Sequence, residues 1–131
     1  MNRNAKLWLI GIVIAHLLIS ILHGSAHEKA HVPLSPAANI FVLTVILAGP
    51  LLGLALLWPS QRIGVSLIAL TLVGSLIFGL VNHFIFASPD HVTHVDPQFR
   101  TLFTTTAVLL AITEAVGSGL AVRSLRARRS L

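Results

Sequence analysis

The chain has no cysteine and few charged residues. Without cysteine it can form neither a disulfide scaffold nor a thiolate metal site. Asp, Glu, Lys and Arg make up 10% of its 131 residues, whereas a soluble domain carries about 25% charged residues. Such a chain cannot cover a water-facing surface in the usual way. Its 55% hydrophobic content and mean hydropathy of +0.89 therefore indicate an integral membrane protein, with room for one domain.

Four apolar segments are long enough to cross a hydrocarbon core of about 30 Å, which takes about 20 residues of helix. Helices are expected at about 7–27, 37–58, 61–86 and 97–122, and Pro50 is expected to kink the second. None of the segments alternates like a barrel strand, and backbone groups in lipid must pair internally. The sequence thus predicts an all-α fold, a transmembrane four-helix bundle in which residues 1–131 form a single domain.

Positive charge is concentrated at one end of this predicted bundle. Seven of the nine basic residues belong to the two termini and the 58–62 turn: Arg3, Lys6, Arg62, Arg123, Arg126, Arg128 and Arg129. Because basic segments stay on the cytoplasmic side, both termini are expected in the cytoplasm. The 24–36 and 87–100 loops then face the periplasm or exterior of a bacterial inner (plasma) membrane. Membrane topology accounts for the concentration of basic residues at one end of the bundle. The expected partner is therefore the lipid bilayer and not nucleic acid.

Six of the seven histidines fall at or beyond the predicted outer face: His23, His27, His31, His83, His91 and His94. His23 and His27 share a face of the first helix, at the four-residue spacing that lets two imidazoles hold one metal. The first and third helices run in the same direction, so His83 is expected at the same depth. The predicted metal ligands are His23, His27 and His83 with His91 or His94, and Asp90 is either a ligand or a partner of one.

These ligands suit Zn²⁺, Cu²⁺ or Fe, among which the sequence does not decide. The predicted function is that of a small, histidine-rich membrane metalloprotein with metal-dependent or redox chemistry on a lipid-soluble substrate. Enzyme and accessory subunit both remain open. The alternative is a haem b with His23 and His83 as axial ligands, in a haem-binding or accessory subunit of a membrane electron-transfer complex. That alternative leaves the other histidines unexplained.

Two ionisable residues are predicted inside the bundle, namely His16 and Glu114. Such groups are costly within a membrane and usually face a partner or a cavity. If the first and fourth helices are neighbours, the two residues form either a proton path beneath the histidines or a hydrogen bond that fixes the helix register. Glu114 is also the basis of a third interpretation, a small proton-coupled transporter.

Small residues recur at helical spacing and predict close helix packing. The second helix has Gly49 and Gly53, and the fourth has Ala107, Ala111, Ala115 and Gly119. The expected use of these positions is packing within the bundle. The alternative is a homo-oligomer or a larger membrane complex assembled through one of them.

Overall fold

The computed structural model describes residues 1–127, which form four helices and no β-strand. Helix α1 spans Arg3–Lys29, α2 Pro36–Leu56, α3 Gln61–Ile85 and α4 Pro97–Arg126, and each is long and apolar enough to cross a membrane. The predicted all-α fold with four such helices is confirmed. The single domain, the insertion and its direction stay predictions. Arg128 and Arg129, which contribute to the predicted orientation, lie outside the described residues.

Polar caps and prolines set the beginnings of the helices. The side chains of Asn2, Ser35 and Asp96 each accept a hydrogen bond from a backbone N–H in the first turn of α1, α2 and α4 respectively. Pro36 and Pro97 follow two of these caps, at the helix position where a missing N–H costs nothing. Asp96 therefore has a structural role at the end of the loop that connects α3 to α4.

The helices follow the order α1, α4, α3, α2 around the bundle. Extensive contacts join α1 to α4, α4 to α3 and α3 to α2, whereas α1 and α2 touch only sparsely. Aliphatic side chains such as Leu9, Ile68 and Leu72 fill the half of the bundle near the chain termini. A smaller apolar cluster surrounds Phe103 in the opposite half. The sparse α1–α2 contact leaves a seam along one side of the molecule.

Glycine permits the close approach of α2 to α3. A Cβ atom on Gly53 would lie 2.6 Å from a side-chain carbon of Ile68. A Cβ atom on Gly64 would lie 2.7 Å from the Gly53 carbonyl oxygen. Both distances are shorter than real Cβ contacts, so these two positions require glycine. The predicted packing use of Gly53 is confirmed.

The predicted stripe on α4 is wrong at its last position. A side chain on Gly119 would meet no atom within 4 Å, whereas one on Gly117 would come within 2.8 Å of Ile12 and 2.6 Å of Leu72. Ala115 is exposed as well. The face of α4 that packs against α1 and α3 therefore passes through Gly117, two residues before the predicted position.

Two helices widen to π geometry, at Val42–Ala48 in α2 and at Val81–Ile85 in α3. The π segment of α2 comes shortly before Pro50. Proline has no N–H to donate to the carbonyl of Ile46, four residues earlier, so regular α-helical bonding cannot continue there. The π segment of α3 contains His83. Such segments are often found at functional sites.

Candidate metal centre

Three buried histidines meet between α1 and α3, in the half of the bundle away from the termini. His23 and His27 come from consecutive turns of α1, and His83 comes from the π segment of α3. One ring nitrogen of each lies within 4.8 Å of the other two, a grouping that could hold a metal ion. The three residues are 5–8% exposed. The three residues expected at one depth thus form a single cluster.

The partner of each Nδ1 atom fixes the tautomer of its ring. Nδ1 of His27 lies 3.2 Å from the Val32 carbonyl oxygen, and Nδ1 of His83 lies 3.1 Å from the Asp90 carbonyl oxygen. A carbonyl oxygen only accepts hydrogen bonds, so both Nδ1 atoms must carry the proton and donate it. In the neutral ring, Nε2 then keeps its lone pair.

His23 can take the same tautomer through its contact with the hydroxyl of Thr106. Its Nδ1 lies 2.8 Å from the hydroxyl oxygen of Thr106, and that hydroxyl donates its own hydrogen to backbone carbonyls of α4. The Thr106 hydroxyl can accept from Nδ1–H of His23 while it donates to these carbonyls, and in this arrangement the lone pair of His23 is on Nε2. Metal-binding histidines commonly donate their second ring N–H to an oxygen in this way, which fixes the orientation of the ring.

The Nε2 atoms of His23 and His83 are 3.1 Å apart. Two lone pairs facing each other at this distance repel unless a proton or a metal ion lies between them. Two nitrogens that bind one zinc ion at 2.0–2.1 Å in tetrahedral geometry are about 3.3 Å apart. The observed separation is close to that value, so the pair fits a shared metal ion.

Asp90 comes from the loop after α3 and lies beside the cluster, with a side chain that is 13% exposed. Its Oδ1 is 3.3 Å from Nε2 of His27 and 3.2 Å from Nδ1 of His83. Neither approach has hydrogen-bond geometry, because Nδ1–H of His83 is directed at the main-chain carbonyl of Asp90. A buried carboxylate oxygen without a hydrogen bond is costly, and coordination of a cation would compensate it.

Charge at Asp90 is favoured by its neighbours. Burial by itself would raise the pKa of this carboxyl group, but its close contact with His83 and the positive charge that His83 and His27 carry when protonated lower the pKa below its ordinary value. Asp90 is therefore a carboxylate at neutral pH and lies beside the three imidazoles.

Phe103 of α4 closes one side of the cluster. Its ring centroid lies 4.8 Å from the rings of His23 and His27 and 5.3 Å from that of His83, and the side chain is fully buried. Sequence reasoning missed Phe103 and Thr106 as parts of the site. Thr106 is the last of three consecutive threonines, and only the rotation of α4 distinguishes it from its neighbours.

The remaining loop histidines are not brought into the cluster. The rings of His91 and His94 contact each other, with centroids 5.5 Å apart. Nδ1 of His91 pairs with the hydroxyl of Thr93, and Nδ1 of His94 pairs with the Ser88 carbonyl. His31 is exposed and has a positive φ of 52°. The roles of His91 and His94 as metal ligands stay a prediction, which the loop would have to rearrange to satisfy.

A cavity of about 70 Å³ lies next to the cluster. His23, His27, His83 and Asp90 form part of its wall, and apolar side chains form much of the rest: Leu34, Val42, Ile46, Phe78 and Leu110. Gly24 also lines the cavity and is exposed, so the cavity opens beside it. The volume corresponds to about two water molecules at about 30 Å³ each. It is far below the roughly 300–1,000 Å³ of pockets for larger ligands.

His16 and Glu114 lie deeper in the bundle and face each other across α1 and α4. Both are buried, and Nδ1 of His16 is 3.6 Å from Oε1 of Glu114. The hydroxyl of Ser75 donates a hydrogen bond to the same carboxyl oxygen. Nε2 of His16 lies 3.1 Å from the Ile46 carbonyl oxygen. The structure thus brings the two inner ionisable residues together in one polar cluster.

Comparison of the chain with protein-family models, with curated proteins and with solved structures finds no match. The chemistry of the site is therefore argued from its own residues. Four features define it: three buried imidazoles whose Nδ1 atoms each contact an oxygen atom, an adjacent carboxylate, an aromatic wall and a small cavity that opens at the seam between α1 and α2.

Proposed function

We propose that this protein is an integral membrane metalloprotein that binds one transition-metal ion through His23, His27 and His83. The observation that carries the proposal is the tautomer that the three rings can share. The carbonyls of Val32 and Asp90 accept from Nδ1–H of His27 and His83, and the Thr106 hydroxyl can accept from that of His23, which leaves the three Nε2 atoms as donors for a metal. Asp90 supplies the fourth ligand, since its Oδ1 is buried and has no hydrogen bond from any described residue.

A single ion fits this site better than a haem does. His23 and His83 are already in contact through their Nε2 atoms, and the adjoining cavity of about 70 Å³ has no room for a macrocycle. A haem bound by these two histidines also leaves His27 and Asp90 without a role. Imidazole and carboxylate donors suit Zn²⁺, Cu²⁺ or Fe²⁺, and such an ion supplies Lewis-acid or one-electron redox chemistry.

The substrate that we propose is lipid-soluble. The cavity opens beside Gly24, next to the sparsely packed seam between α1 and α2, and much of its wall is apolar. Its volume accommodates the reactive end of a molecule whose apolar remainder stays in the bilayer. The basic residues near both chain termini support a bacterial inner membrane in which the site faces the periplasm.

Metal content tests the proposal directly. Protein purified from metal-replete medium is expected to carry about one equivalent of a transition metal per chain, measured by plasma mass spectrometry. The double variant His23→Ala/His83→Ala is expected to lose most of that metal, because two of three imidazole ligands are gone. Thermal unfolding of both proteins in detergent shows whether the variant is still folded.

The matched control is His31→Asn. It removes an exposed imidazole from the adjacent loop, and asparagine tolerates the positive φ at this position. Its metal content should equal that of the wild type. Wild-type protein without metal, or equal content in the double variant, would contradict the proposal. A haem absorbance band in the reduced-minus-oxidised spectrum would favour the haem alternative instead.

A further inference from the structure

The ring of His16 is hydrogen-bonded to the main chain of another helix. Pro50 cannot donate to the Ile46 carbonyl, so this carbonyl is available to a neighbouring helix, and Nε2 of His16 lies 3.1 Å from its oxygen. Because the carbonyl only accepts, Nε2 must carry the proton. The lone pair of the neutral ring is therefore on Nδ1, which is fully buried and has no hydrogen bond among the described residues.

The free lone pair of His16 is directed toward an acid. Nδ1 lies 3.6 Å from Oε1 of Glu114, and Glu114 is 3% exposed. An isolated charge in this environment is costly, so a single proton shared by the two residues is the state that leaves neither one uncompensated. That proton is held on the Glu114 carboxyl when both groups are neutral, or on Nδ1 when they form an ion pair.

The groups that contact the pair indicate the path by which its proton can exchange with water. Ser75 of α3 donates to Glu114, and the Ile46 carbonyl of α2 accepts from His16. Ile46 also lines the cavity below the histidine cluster, as does Ser20, which is one turn after His16 on α1. Nε2 of His16 is therefore hydrogen-bonded to the main chain of a residue that lines that cavity.

We propose that His16 and Glu114 form a proton-transfer pair that exchanges protons with water in the cavity through the two nitrogens of His16. The O–H bond of Glu114 breaks as a proton passes to Nδ1, and the N–H bond at Nε2 breaks as a proton passes to cavity water. No electrons are transferred, and the starting state returns when water gives a proton back to Nε2 and the proton on Nδ1 passes back to Glu114. The proposal goes beyond metal binding and does not depend on it.

Infrared spectroscopy of the purified protein in D₂O tests the pair. The chain has only four Asp and Glu side chains, so a carboxylic-acid band is readily assigned by substitution. At neutral pH we expect one such band that is absent in Glu114→Gln and shifted in Ser75→Ala, which lacks the hydrogen bond to the acid. The band should shift in D₂O as its proton exchanges.

Substitution of His16 separates proton transfer from a merely structural role. His16→Phe keeps a ring of similar shape but has no nitrogen, so the Glu114 band should persist and exchange at least tenfold more slowly. Ile14→Phe, at an exposed position of the same helix, should exchange at the wild-type rate. The absence of the band in the wild type, its persistence in Glu114→Gln, or equally fast exchange in His16→Phe would overturn the proposal.

The metal-binding proposal and the proton-transfer proposal can be contradicted independently of each other. Metal content measured on the same Glu114→Gln and His16→Phe preparations should equal the wild-type value, since neither residue contacts the three histidines. Conversely, the Glu114 band should remain in His23→Ala/His83→Ala. Loss of the band in that double variant would show that Glu114 depends on the histidine cluster and would overturn the independence of the pair.

Discussion

At the scale of single residues, hydrogen bonds on the far side of each ring prepare the candidate ligands. Nδ1 of His27 donates to the Val32 carbonyl and that of His83 to the Asp90 carbonyl, and Nδ1 of His23 pairs with the Thr106 hydroxyl, which accepts from it when Nε2 binds a metal. Two of these three acceptors are main-chain atoms, which no side-chain substitution removes. Thr106 is the one acceptor that mutagenesis can delete. Its substitution therefore measures how much the orientation of the His23 ring contributes to metal binding.

Thr106→Val is expected to weaken metal binding by about 10–100-fold, the usual cost of losing a hydrogen-bond partner of a ligating histidine. Valine keeps the shape of threonine but cannot accept from Nδ1–H of His23, so the ring loses its fixed tautomer. Competition with a metal chelator of known affinity measures the change. Thr105→Val, at the exposed neighbouring position, is the control and should bind like the wild type. Equal affinity of the two variants would show that Thr106 does not support the ligand.

The three clustered histidines were accessible to sequence reasoning, because helical spacing and chain direction place them at one depth. The roles of the loop residues were not. Asp90, His91 and His94 are near one another in sequence, but loop geometry brings only Asp90 within ion-pair distance of the cluster. His94 instead donates to the Ser88 carbonyl. Helical periodicity does not extend into a turn, so it cannot predict which loop residues reach the histidine cluster.

At the scale of the helices, close packing depends on which side of each helix faces its neighbour. Sequence spacing detects that small residues share a face but not which face is buried. Gly53 and Gly64 mark the α2–α3 contact, whereas on α4 the buried glycine is Gly117 and not Gly119. Which of these two glycines is buried depends on the rotation of the whole helix about its axis. Apolar residues cover all sides of a membrane-type helix, so the sequence does not indicate this rotation.

Gly64→Ala is expected to destabilise the protein by about 1–3 kcal/mol, the usual cost of forcing extra volume into a packed contact. The added carbon would lie 2.7 Å from the Gly53 carbonyl oxygen and from the Leu57 nitrogen, both of which are backbone atoms. Gly119→Ala is the matched control. Its added carbon meets nothing, and alanine should stabilise the helix by about 0.5–1 kcal/mol. Denaturation by SDS in mixed micelles measures both changes, and equal effects would contradict this α2–α3 packing.

The seam between α1 and α2 controls access to the metal site if the cavity mouth lies where Gly24 is exposed. Gly24→Leu adds a side chain at that mouth, where a Cβ meets no atom within 4 Å, so folding should be unaffected. We expect removal of bound metal by a chelator to slow at least severalfold. Gly11→Leu places the same side chain at another open position on α1 and should leave the rate unchanged. Faster or unchanged metal loss in Gly24→Leu would place the entrance elsewhere.

At the scale of the whole molecule, the polar groups are unevenly distributed along the bundle. The histidine cluster and Asp90 lie in the half away from the termini, the pair of His16 and Glu114 lies deeper, and aliphatic side chains fill the half near the termini. If the bundle spans a membrane, the metal site is near one surface and the proton pair is inside the apolar region. The side on which the site faces therefore determines which compartment exchanges metal and protons with it.

The absence of cysteine makes this orientation directly measurable. Single variants His31→Cys and Ser124→Cys place one thiol in the loop after α1 and one near the end of α4. In intact cells, a membrane-impermeant maleimide should label residue 31 and not residue 124, because basic residues keep the termini in the cytoplasm. Both thiols should react once the membrane is opened, which controls for accessibility. Labelling of residue 124 alone in intact cells would invert the topology and place the metal site on the cytoplasmic side.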